Sequence, residues 1–470
     1  MRGFIGTLLV IVLFLLLVAG GVYFVAGRAA GPSITIAQPQ KVIGISSTLE
    51  IVVDAPGGKL TRLAAALEQD GQRHPVFSLD QQADAQVRQD GPDRIRVTRA
   101  IGRRSIPQLK SGTARIHVTA TRPVLYGMRE TSSSATRDVQ VRLTPPRVAV
   151  VSTHHYVNHG GSELVVYNVT PPEVESGVQI GDAFYPGFPA SGAGVANPPA
   201  SMKAAFFALL YDQDLDTPID VVARDEAGNQ ARVRLDHRPF PKPFRRSRIQ
   251  LDRKFLDKVV TEIAEQTPDL GLAVDANNPE ALLPGFLKIN GELRRKNNAQ
   301  IAELAKKTPR EMLWQGPFAQ LSNSQVEASF ADHRTYVYEG KEVDQQVHLG
   351  YDLAVTSNIP VAASNRGKVV YADYLGIYGN CVILDHGFGV QSLYAHLSSI
   401  DVKVDQIVEK GATLGRSGMT GLAGGDHLHF TMLVHGRAVS PVDWWSTQWV
   451  EDRITRKLRA ASAGASGQMQ

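Results

Sequence analysis

Cysteine is almost absent from this sequence, which limits the ways in which its fold can be held together. Of the 470 residues only Cys381 is a cysteine, so no disulfide can form within the chain. Exported proteins can also lack disulfides, and the count therefore does not fix the compartment. Cys381 begins the apolar run Cys-Val-Ile-Leu, and we predict that it is a small core residue on a strand rather than a reactive thiol.

The sequence also lacks the basic stretches that bind nucleic acid. Its net charge is only +4, and no run of Lys and Arg is interleaved with aromatic residues, so nucleic acid is not an expected partner. The hydrophobic fraction of 43% is ordinary for globular proteins. Because 470 residues exceed what one hydrophobic core accommodates, we predict about three or four domains.

Charged residues are missing from Phe4 to Ala26, where the sequence is almost wholly apolar. A helix of about 23 residues rises 1.5 Å per residue and spans the roughly 30 Å of bilayer hydrocarbon. We therefore predict a single-pass anchor in the inner (cytoplasmic) membrane, formed by residues 4–26. The domains that follow are expected in the periplasm or cell-wall space. The alternative is a signal sequence that is cleaved at the small residues around Arg28.

Short segments of alternating apolar and polar residues fill the next two hundred positions or so, separated by Gly, Asp and Pro. This period of two predicts two antiparallel β-sandwiches that resemble immunoglobulin-like modules, at 32–145 and 146–238. An envelope protein is a candidate partner for them. His154, His155 and His159 have no nearby carboxylate or cysteine partner, so we interpret them as part of a plain surface loop rather than a metal site.

Helical spacing appears after the proline-rich stretch 239–243, which we interpret as a stiff linker. Apolar residues about 3.6 positions apart predict helices near 250–266 and 287–307, within a helical segment 245–310. This segment is either a simple spacer or a restraint on the domain that follows. The strand-rich sequence of residues 315–446 predicts a last folded domain. Residues 447–470 are predicted to form a short helix and a disordered tail. Residues 1–30 are predicted to form the cytoplasmic tip and the membrane anchor.

Five residues of the last domain have the types and spacings of a hydrolytic metal site: His348, Asp352, His396, His427 and His429. Strand residues two or four positions apart share a face, so His427 and His429 point the same way, as His348 and Asp352 do in an extended segment. Catalytic zinc sites use three nitrogen or oxygen ligands and leave a fourth position to water. Imidazoles that are not ligands can then move the proton of that water.

The surrounding motifs resemble the signature of lysostaphin/LytM-type zinc endopeptidases, over residues 315–446. The motifs are His348-x3-Asp352, Tyr394-Ala395-His396-Leu397 and His427-Leu428-His429-Phe430. The resemblance implies a small antiparallel β domain with a groove above its sheet, and one Zn²⁺ ion per catalytic domain.

The roles that the resemblance implies fall on named positions of this chain. His348, Asp352 and His429 correspond to the zinc ligands, and His396 and His427 to the catalytic histidines that bind no metal. Arg334 and Tyr394 correspond to substrate-binding positions. Near Arg334, Ala331 stands where the family has a glycine, and the spacing is one residue longer.

We therefore expect a multidomain, mainly β protein with an N-terminal transmembrane helix, two β-sandwiches, a helical linker segment and a C-terminal β metallopeptidase domain. Its expected function is zinc-dependent hydrolysis of peptide cross-links in peptidoglycan. The alternative is a non-catalytic LytM-type regulator or adaptor that activates other cell-wall hydrolases, because some domains of this type have lost metal ligands. Here all five residues of the site are present. By analogy, an anchored protein without wall-binding repeats favours D-Ala–diaminopimelate cross-links.

Overall fold

A computed structural model describes residues 2–56, 59–81, 84–272, 279–354 and 356–467. The described chain is mainly β, with predominantly antiparallel sheets, as predicted. It divides into two compact units. The first comprises Met1–Pro146 and Arg224–Ala231, and the second comprises Arg147–Ala223 and Arg232–Gln470.

The first unit begins with the helix α1 (Arg2–Ala26). Within the described residues it is the one helix that is long and apolar enough to cross a membrane, over Ile5–Ala26. Its large apolar side chains from Ile5 to Val25 are exposed. The predicted apolar helix is therefore confirmed.

The rest of the first unit is a β-sandwich. Its strands are β1 (Ser33–Gln38), β2 (Val42–Ile43), β3 (Ser47–Asp54), β4 (Arg62–Gln69), β5 (Gln72–Ser78), β6 (Ala85–Gln89), β7 (Arg94–Ile101), β8 (Gly112–Val124) and β9 (Arg129–Val141). They form the sheets β1-β3-β7-β6 and β2-β9-β8-β4-β5. Ile51 and Val97 of one sheet pack with Leu67 and Ile116 of the other. The period of two in the sequence follows from this arrangement, because each sheet buries one face.

The second unit begins with a further set of β-sheets. Its strands are β10 (Arg147–Val150), β11 (His155–Asn158), β12 (Ser162–Thr170), β13 (Glu175–Ile180), β14 (Ala183–Pro186), β15 (Phe188–Pro189), β16 (Met202–Ala208), β17 (Ile219–Arg224), β18 (Gln230–Arg234) and β19 (His237–Phe240). The two larger sheets run β10-β12-β16-β15 and β14-β13-β17-β18. Leu164 and Phe206 of the first sheet share a core with Val178 and Val221 of the second.

Two interpretations of this region are wrong. His155 is a buried strand residue whose Nε2 and Nδ1 are hydrogen-bonded to Ser152 Oγ and Asp236 O, at 2.8 and 3.0 Å. It therefore does not belong to a surface loop. Residues 239 and 240 do not form a linker, because they end the strand β19, which pairs in parallel with β11.

The last domain is built on a broad sheet in the order β21-β24-β32-β28-β27-β26-β30, with β33 paired to β32. Its strands, with those of two small flanking sheets, are β20 (Arg246–Leu251), β21 (Gln325–Ala328), β22 (Asp332–Tyr338), β23 (Lys341–His348), β24 (Tyr351–Ala354), β25 (Pro360–Ala362), β26 (Gly367–Tyr374), β27 (Asn380–Asp385), β28 (Val390–Leu397), β29 (Ser399–Ile400), β30 (Ile407–Val408), β31 (Thr413–Arg416), β32 (His427–Val434) and β33 (Arg437–Val439). Strands β28 and β32 are buried along their whole length, because both faces of the sheet are covered. Cys381 on β27 is fully buried, as predicted.

Helices cover one face of this sheet. They are α2 (Arg253–Gln266), α3 (Leu282–Lys288) and α4 (Arg294–Ala305), the last two joined by one π-helical turn (Ile289–Leu293). Asp252 caps α2 by accepting from the backbone N–H of Phe255 at 2.7 Å. Val259 and Ile263 of α2 share a core with Ile383 of the sheet. The segment therefore packs as a layer on the sheet of the last domain, and whether it is a spacer or a restraint stays a prediction. Residues 273–278, in the predicted connection between the helices, lie outside the described residues.

The C-terminal residues form further helices: α5 (Pro441–Trp445), α6 (Thr447–Val450) and α7 (Arg456–Gly467), with a π turn (Glu451–Thr455) before α7. The predicted disordered tail is wrong up to Gly467, because Ala461 and Ala465 of α7 are buried in the core of the second unit. The buried Lys457 of α7 also pairs with Glu163 of β12 at 2.8 Å. Residues 468–470 lie outside the described residues.

Candidate metal centre

Three neighbouring strands bring the predicted ligands together. His348 is the last residue of β23, Asp352 lies on β24, and His429 lies on β32, directly opposite Asp352 in the antiparallel ladder. The turn between β23 and β24 contains Gly350. A Cβ atom at that position would lie 2.5 Å from the His429 ring, so only glycine allows this approach.

The three ligand atoms form a compact, buried triangle. His348 Nε2 lies 2.9 Å from Asp352 Oδ1 and 3.0 Å from His429 Nδ1. Asp352 Oδ1 lies 3.0 Å from His429 Nδ1. The structure therefore brings together the set that the sequence predicted as metal ligands, in a geometry that can hold a metal ion.

Hydrogen bonds to the far side of each ring fix which nitrogen carries the proton. His348 Nδ1 donates to the carbonyl oxygen of Ser329 at 3.2 Å, which leaves Nε2 with a lone pair. His429 Nε2 donates to Thr431 Oγ1 at 3.0 Å, because that hydroxyl gives its own hydrogen to the Leu349 carbonyl at 2.9 Å. His429 Nδ1 is therefore also an acceptor. Such outer hydrogen bonds are typical of metal-binding histidines.

The charge state of the triangle agrees with this assignment. Burial lowers the pKa of His429 to about 4 and keeps its ring neutral. Burial alone would raise the pKa of Asp352, but the attraction of the neighbouring His348 holds that pKa well below its usual range, so Asp352 is a carboxylate. This carboxylate and the lone pairs on His348 Nε2 and His429 Nδ1 face one another, and such a group needs a cation at its centre. The two-nitrogen, one-oxygen set fits zinc.

His396 and His427 lie beside the triangle, with ring centroids 4.9 Å apart. Each Nδ1 donates to a carbonyl at 2.8 Å, that of Thr420 for His396 and that of Gly425 for His427. Each Nε2 is therefore the atom free to exchange a proton. Both rings line a cavity of about 570 Å³ together with the three ligands. Burial holds the pKa of His396 well below its usual value, so this ring is neutral.

Comparison with known proteins agrees with this geometry. Residues 346–441 match the profile of Peptidase family M23. The C-terminal domain is a peptidase M23 domain.

Its curated relatives include DD-carboxypeptidase/endopeptidase Mpg of Neisseria meningitidis, 38% identical over 97 residues, or 21% of this chain and 22% of Mpg. Peptidoglycan DD-endopeptidase ShyA of Vibrio cholerae is 41% identical over 93 residues, or 20% of this chain and 22% of ShyA. The chain thus matches less than a quarter of the length of either relative. The catalytic domain of lysostaphin from Staphylococcus simulans aligns at 28% identity with a TM-score of 0.24, covering 28% of this chain and 98% of that domain.

Tyr394 does not reach the cavity of the M23 domain, so the prediction that it binds substrate is wrong. Its side chain is 1% exposed, and its hydroxyl accepts from the Ser364 backbone N–H at 2.8 Å and from Ser392 Oγ at 3.0 Å. Tyr394 and His396 would share a face on a regular strand. The β27–β28 ladder, however, has a register shift there, and His396 has a φ of +61°. This bulge turns His396 toward the cavity and leaves Tyr394 in the core.

Arg334 lies on β22 and does line the cavity. Its Nη2 donates to Asp352 Oδ2 at 2.9 Å, on the oxygen that does not face the histidines. The guanidinium is thus placed to orient a ligand, and a role in binding substrate stays a prediction. Ala331, just before β22, is fully buried with a φ of +60°, which accounts for the glycine that the family has at this position.

The sequence did not single out Lys258 and Glu262, two charged residues of α2 that hold a loop beside the cavity. Lys258 Nζ donates to the carbonyls of Met419 and Ala423, at 2.8 and 3.0 Å. Glu262 Oε1 accepts from the backbone N–H of Gly421 at 2.6 Å. The two side chains clamp the loop that carries Thr420, the residue that holds His396. A charged pair four residues apart on one helix face was the only signal in the sequence.

Proposed function

We propose that this protein is a membrane-anchored zinc metalloendopeptidase that hydrolyses peptide cross-links in peptidoglycan. One observation carries the proposal. His396 and His427 lie in one cavity, and the Nε2 atom of each is free to exchange a proton. Beside them lie the ligand atoms of His348, Asp352 and His429, whose lone pairs face one another, an arrangement that needs a cation. This is the combination of groups that metal-assisted amide hydrolysis requires.

His348, Asp352 and His429 would hold the ion, which when bound supplies polarisation of the scissile carbonyl. His396 Nε2 takes a proton from the attacking water, because its Nδ1 is committed to the Thr420 carbonyl. His427 Nε2, 3.5 Å from Asp352 Oδ1, gives a proton to the departing amine, and the proton that His396 took up then replaces it, since the two rings are 4.9 Å apart. Ser329 and Thr431 keep the ligand rings oriented through the reaction.

Two further observations support the proposed substrate and location. ShyA and Mpg, which resemble the M23 domain, carry names that specify DD-endopeptidase or endopeptidase activity, which supports the peptide bonds of peptidoglycan as the substrate. The apolar helix α1 holds the chain in the inner membrane, with the remaining domains in the periplasm. An envelope protein that binds the two β-sandwiches would direct the enzyme to its sites of action.

Digestion of purified peptidoglycan by the full-length protein tests the proposal. The zinc-loaded protein should release cross-linked peptides as monomers identifiable by mass. Chelation should abolish the cleavage, and added zinc should restore it. If the zinc-loaded protein cuts nothing but stimulates a separate wall hydrolase in the same assay, the regulator alternative is correct and the proposal fails.

A further inference from the structure

The tip of the β8–β9 hairpin exposes apolar side chains. Two strands of 13 residues each are joined by a short turn that begins at Leu125. Tyr126 in this turn is fully exposed, and Met128 is 68% exposed. Leu125 and Tyr126 both have left-handed backbone angles, with φ of +52° and +56°. Turns in water use Asn, Asp or Gly at such positions, so this composition indicates surroundings other than water.

The base of this tip contacts the chain that follows α1. Thr131 Oγ1 donates to the carbonyl of Ala29 at 3.0 Å. Arg122 donates to the carbonyl of Ala30 at 2.7 Å. The two strands of the hairpin are therefore fixed, at this level, to the segment just outside the helix.

The tip itself contacts α1. Arg129 donates to the carbonyl of Tyr23 at 2.6 Å, and its guanidinium lies 4.6 Å from the centre of the Tyr23 ring. Gly27 makes this approach feasible, because a Cβ atom there would lie 2.2 Å from the Arg129 guanidinium. The hairpin therefore runs beside the end of α1, from the level of Ala30 toward the helix N-terminus as far as Tyr23. Tyr23 is about 5 Å inside the helix end at Ala26, at 1.5 Å per residue.

The side chains at this level have the composition of a membrane interface. Tyr23, Phe24 and Tyr126 supply aromatic rings, and Arg28, Arg122 and Arg129 supply positive charge. Aromatic rings concentrate where the acyl chains of a bilayer meet the headgroups. Basic side chains there gain about 1 kcal/mol each from anionic lipids.

We propose that the turn at residues 125–128 inserts into the bilayer interface beside α1, as a second membrane contact of the first unit. Tyr126 and Met128 lie among the headgroups and the upper acyl chains, and the arginines contact lipid phosphates. The contact prevents the first β-sandwich from rotating freely about the end of the helix. The inference rests on the membrane anchoring that is part of the proposed function.

Site-specific fluorescence on the full-length protein tests this inference. Cys381 is fully buried, so an environment-sensitive thiol dye reacts at an introduced cysteine alone in the folded protein. The variants are Tyr126→Cys and Met128→Cys at the tip, and Leu13→Cys in the middle of α1. Thr113→Cys, exposed near the other end of β8, is the matched control about 36 Å from the tip at 3.3 Å per residue. Each is reconstituted in bilayers of phosphatidylethanolamine and phosphatidylglycerol that contain a shallow spin-labelled lipid.

We expect dyes at 126 and 128 to shift to the blue and to be quenched by the shallow label, whereas the dye at 113 stays water-exposed. The dye at position 13 could be buried in the bilayer while the dyes at positions 126 and 128 stay water-exposed, like the dye at position 113. The proposed insertion of the hairpin turn would then be wrong, and the membrane anchor α1 would be supported. If the dye at 13 also remains in water, the membrane anchor of the proposed function is wrong, and the inference fails with it.

Discussion

At the scale of single residues, the cavity separates side chains that would hold an ion from side chains that would move protons. His429→Ala should therefore lose zinc and activity together, because one of three ligand atoms is removed. His396→Ala should keep zinc and lose activity by about 10²–10⁴-fold, the range for a positioned base. Metal analysis and murein digestion measure both, with the exposed His154→Ala as control. Full zinc occupancy in His429→Ala would contradict the ligand assignment.

A second residue-scale prediction concerns Asp443, at the start of α5. Burial raises the pKa of Asp443 to about 6, although a hydrogen bond from Asn158 opposes the shift. A carboxyl group whose folded pKa lies above its unfolded value of about 3.9 costs stability as pH rises between the two values. Asp443→Asn should therefore stabilise the second unit above pH 6, by on the order of 2–3 kcal/mol, and have no such effect near pH 4.

Urea unfolding of the wild type and Asp443→Asn at several pH values checks this. A difference in the free energy of unfolding that is the same at acid and neutral pH would contradict the assigned pKa. The exposed Asp401→Asn is a suitable control, because its carboxyl lies on the surface of the same unit.

At the scale of elements, α2 positions His396, the proposed base, through the loop that it clamps. Glu262 accepts a hydrogen bond from the backbone N–H of Gly421, and the carbonyl of the neighbouring Thr420 accepts one from His396 Nδ1. We predict that Glu262→Ala lowers kcat by about 10–100-fold with zinc content unchanged, because misplacement of a catalytic group by about 1 Å costs this much. Glu262→Gln should retain most activity, since its amide oxygen can still accept the hydrogen bond.

The sign of this effect separates two roles for the segment 245–310. A positioning role predicts lower kcat in Glu262→Ala, whereas a restraint on the groove predicts higher activity on murein when the clamp is released. Lys254→Ala, on an exposed position of the same helix, controls for loss of helix charge. Steady-state kinetics on a soluble cross-linked peptide and digestion of whole murein measure the two outcomes.

At the scale of the whole molecule, α1 should keep the catalytic domain on the membrane. A phosphatase reporter fused after Arg28 should be active, because that enzyme works only outside the cytoplasm, and the full-length protein should fractionate with membranes. Replacing Leu13 and Leu16 by arginine should release it, since each charge in mid-membrane costs about 2.5–3.5 kcal/mol. A soluble periplasmic form that begins near Ala30 would instead indicate cleavage of a signal sequence.

The sequence by itself determined those features that follow from local chemistry. The apolar stretch predicted α1, the period of two predicted the β-sheets, and the type and spacing of the histidines and Asp352 predicted a metal-binding set that the structure brings within hydrogen-bonding distance. The spacings within each of these motifs depend on residues a few positions apart, which a strand or helix places predictably. The prediction of a disordered tail was wrong because Ala461 and Ala465 pack into the core of the second unit. The sequence of their own segment does not predict that packing.

Tertiary structure alone decided the rest. A register shift in the β27–β28 ladder orients His396 toward the cavity and Tyr394 toward the core. No local sequence pattern distinguishes that bulge from a regular strand. The clamp joins Glu262 to a loop 159 residues away, and the Arg129–Tyr23 contact spans 106 residues. Such contacts form because packing brings distant surfaces together, and their energies depend on distances that a sequence does not specify.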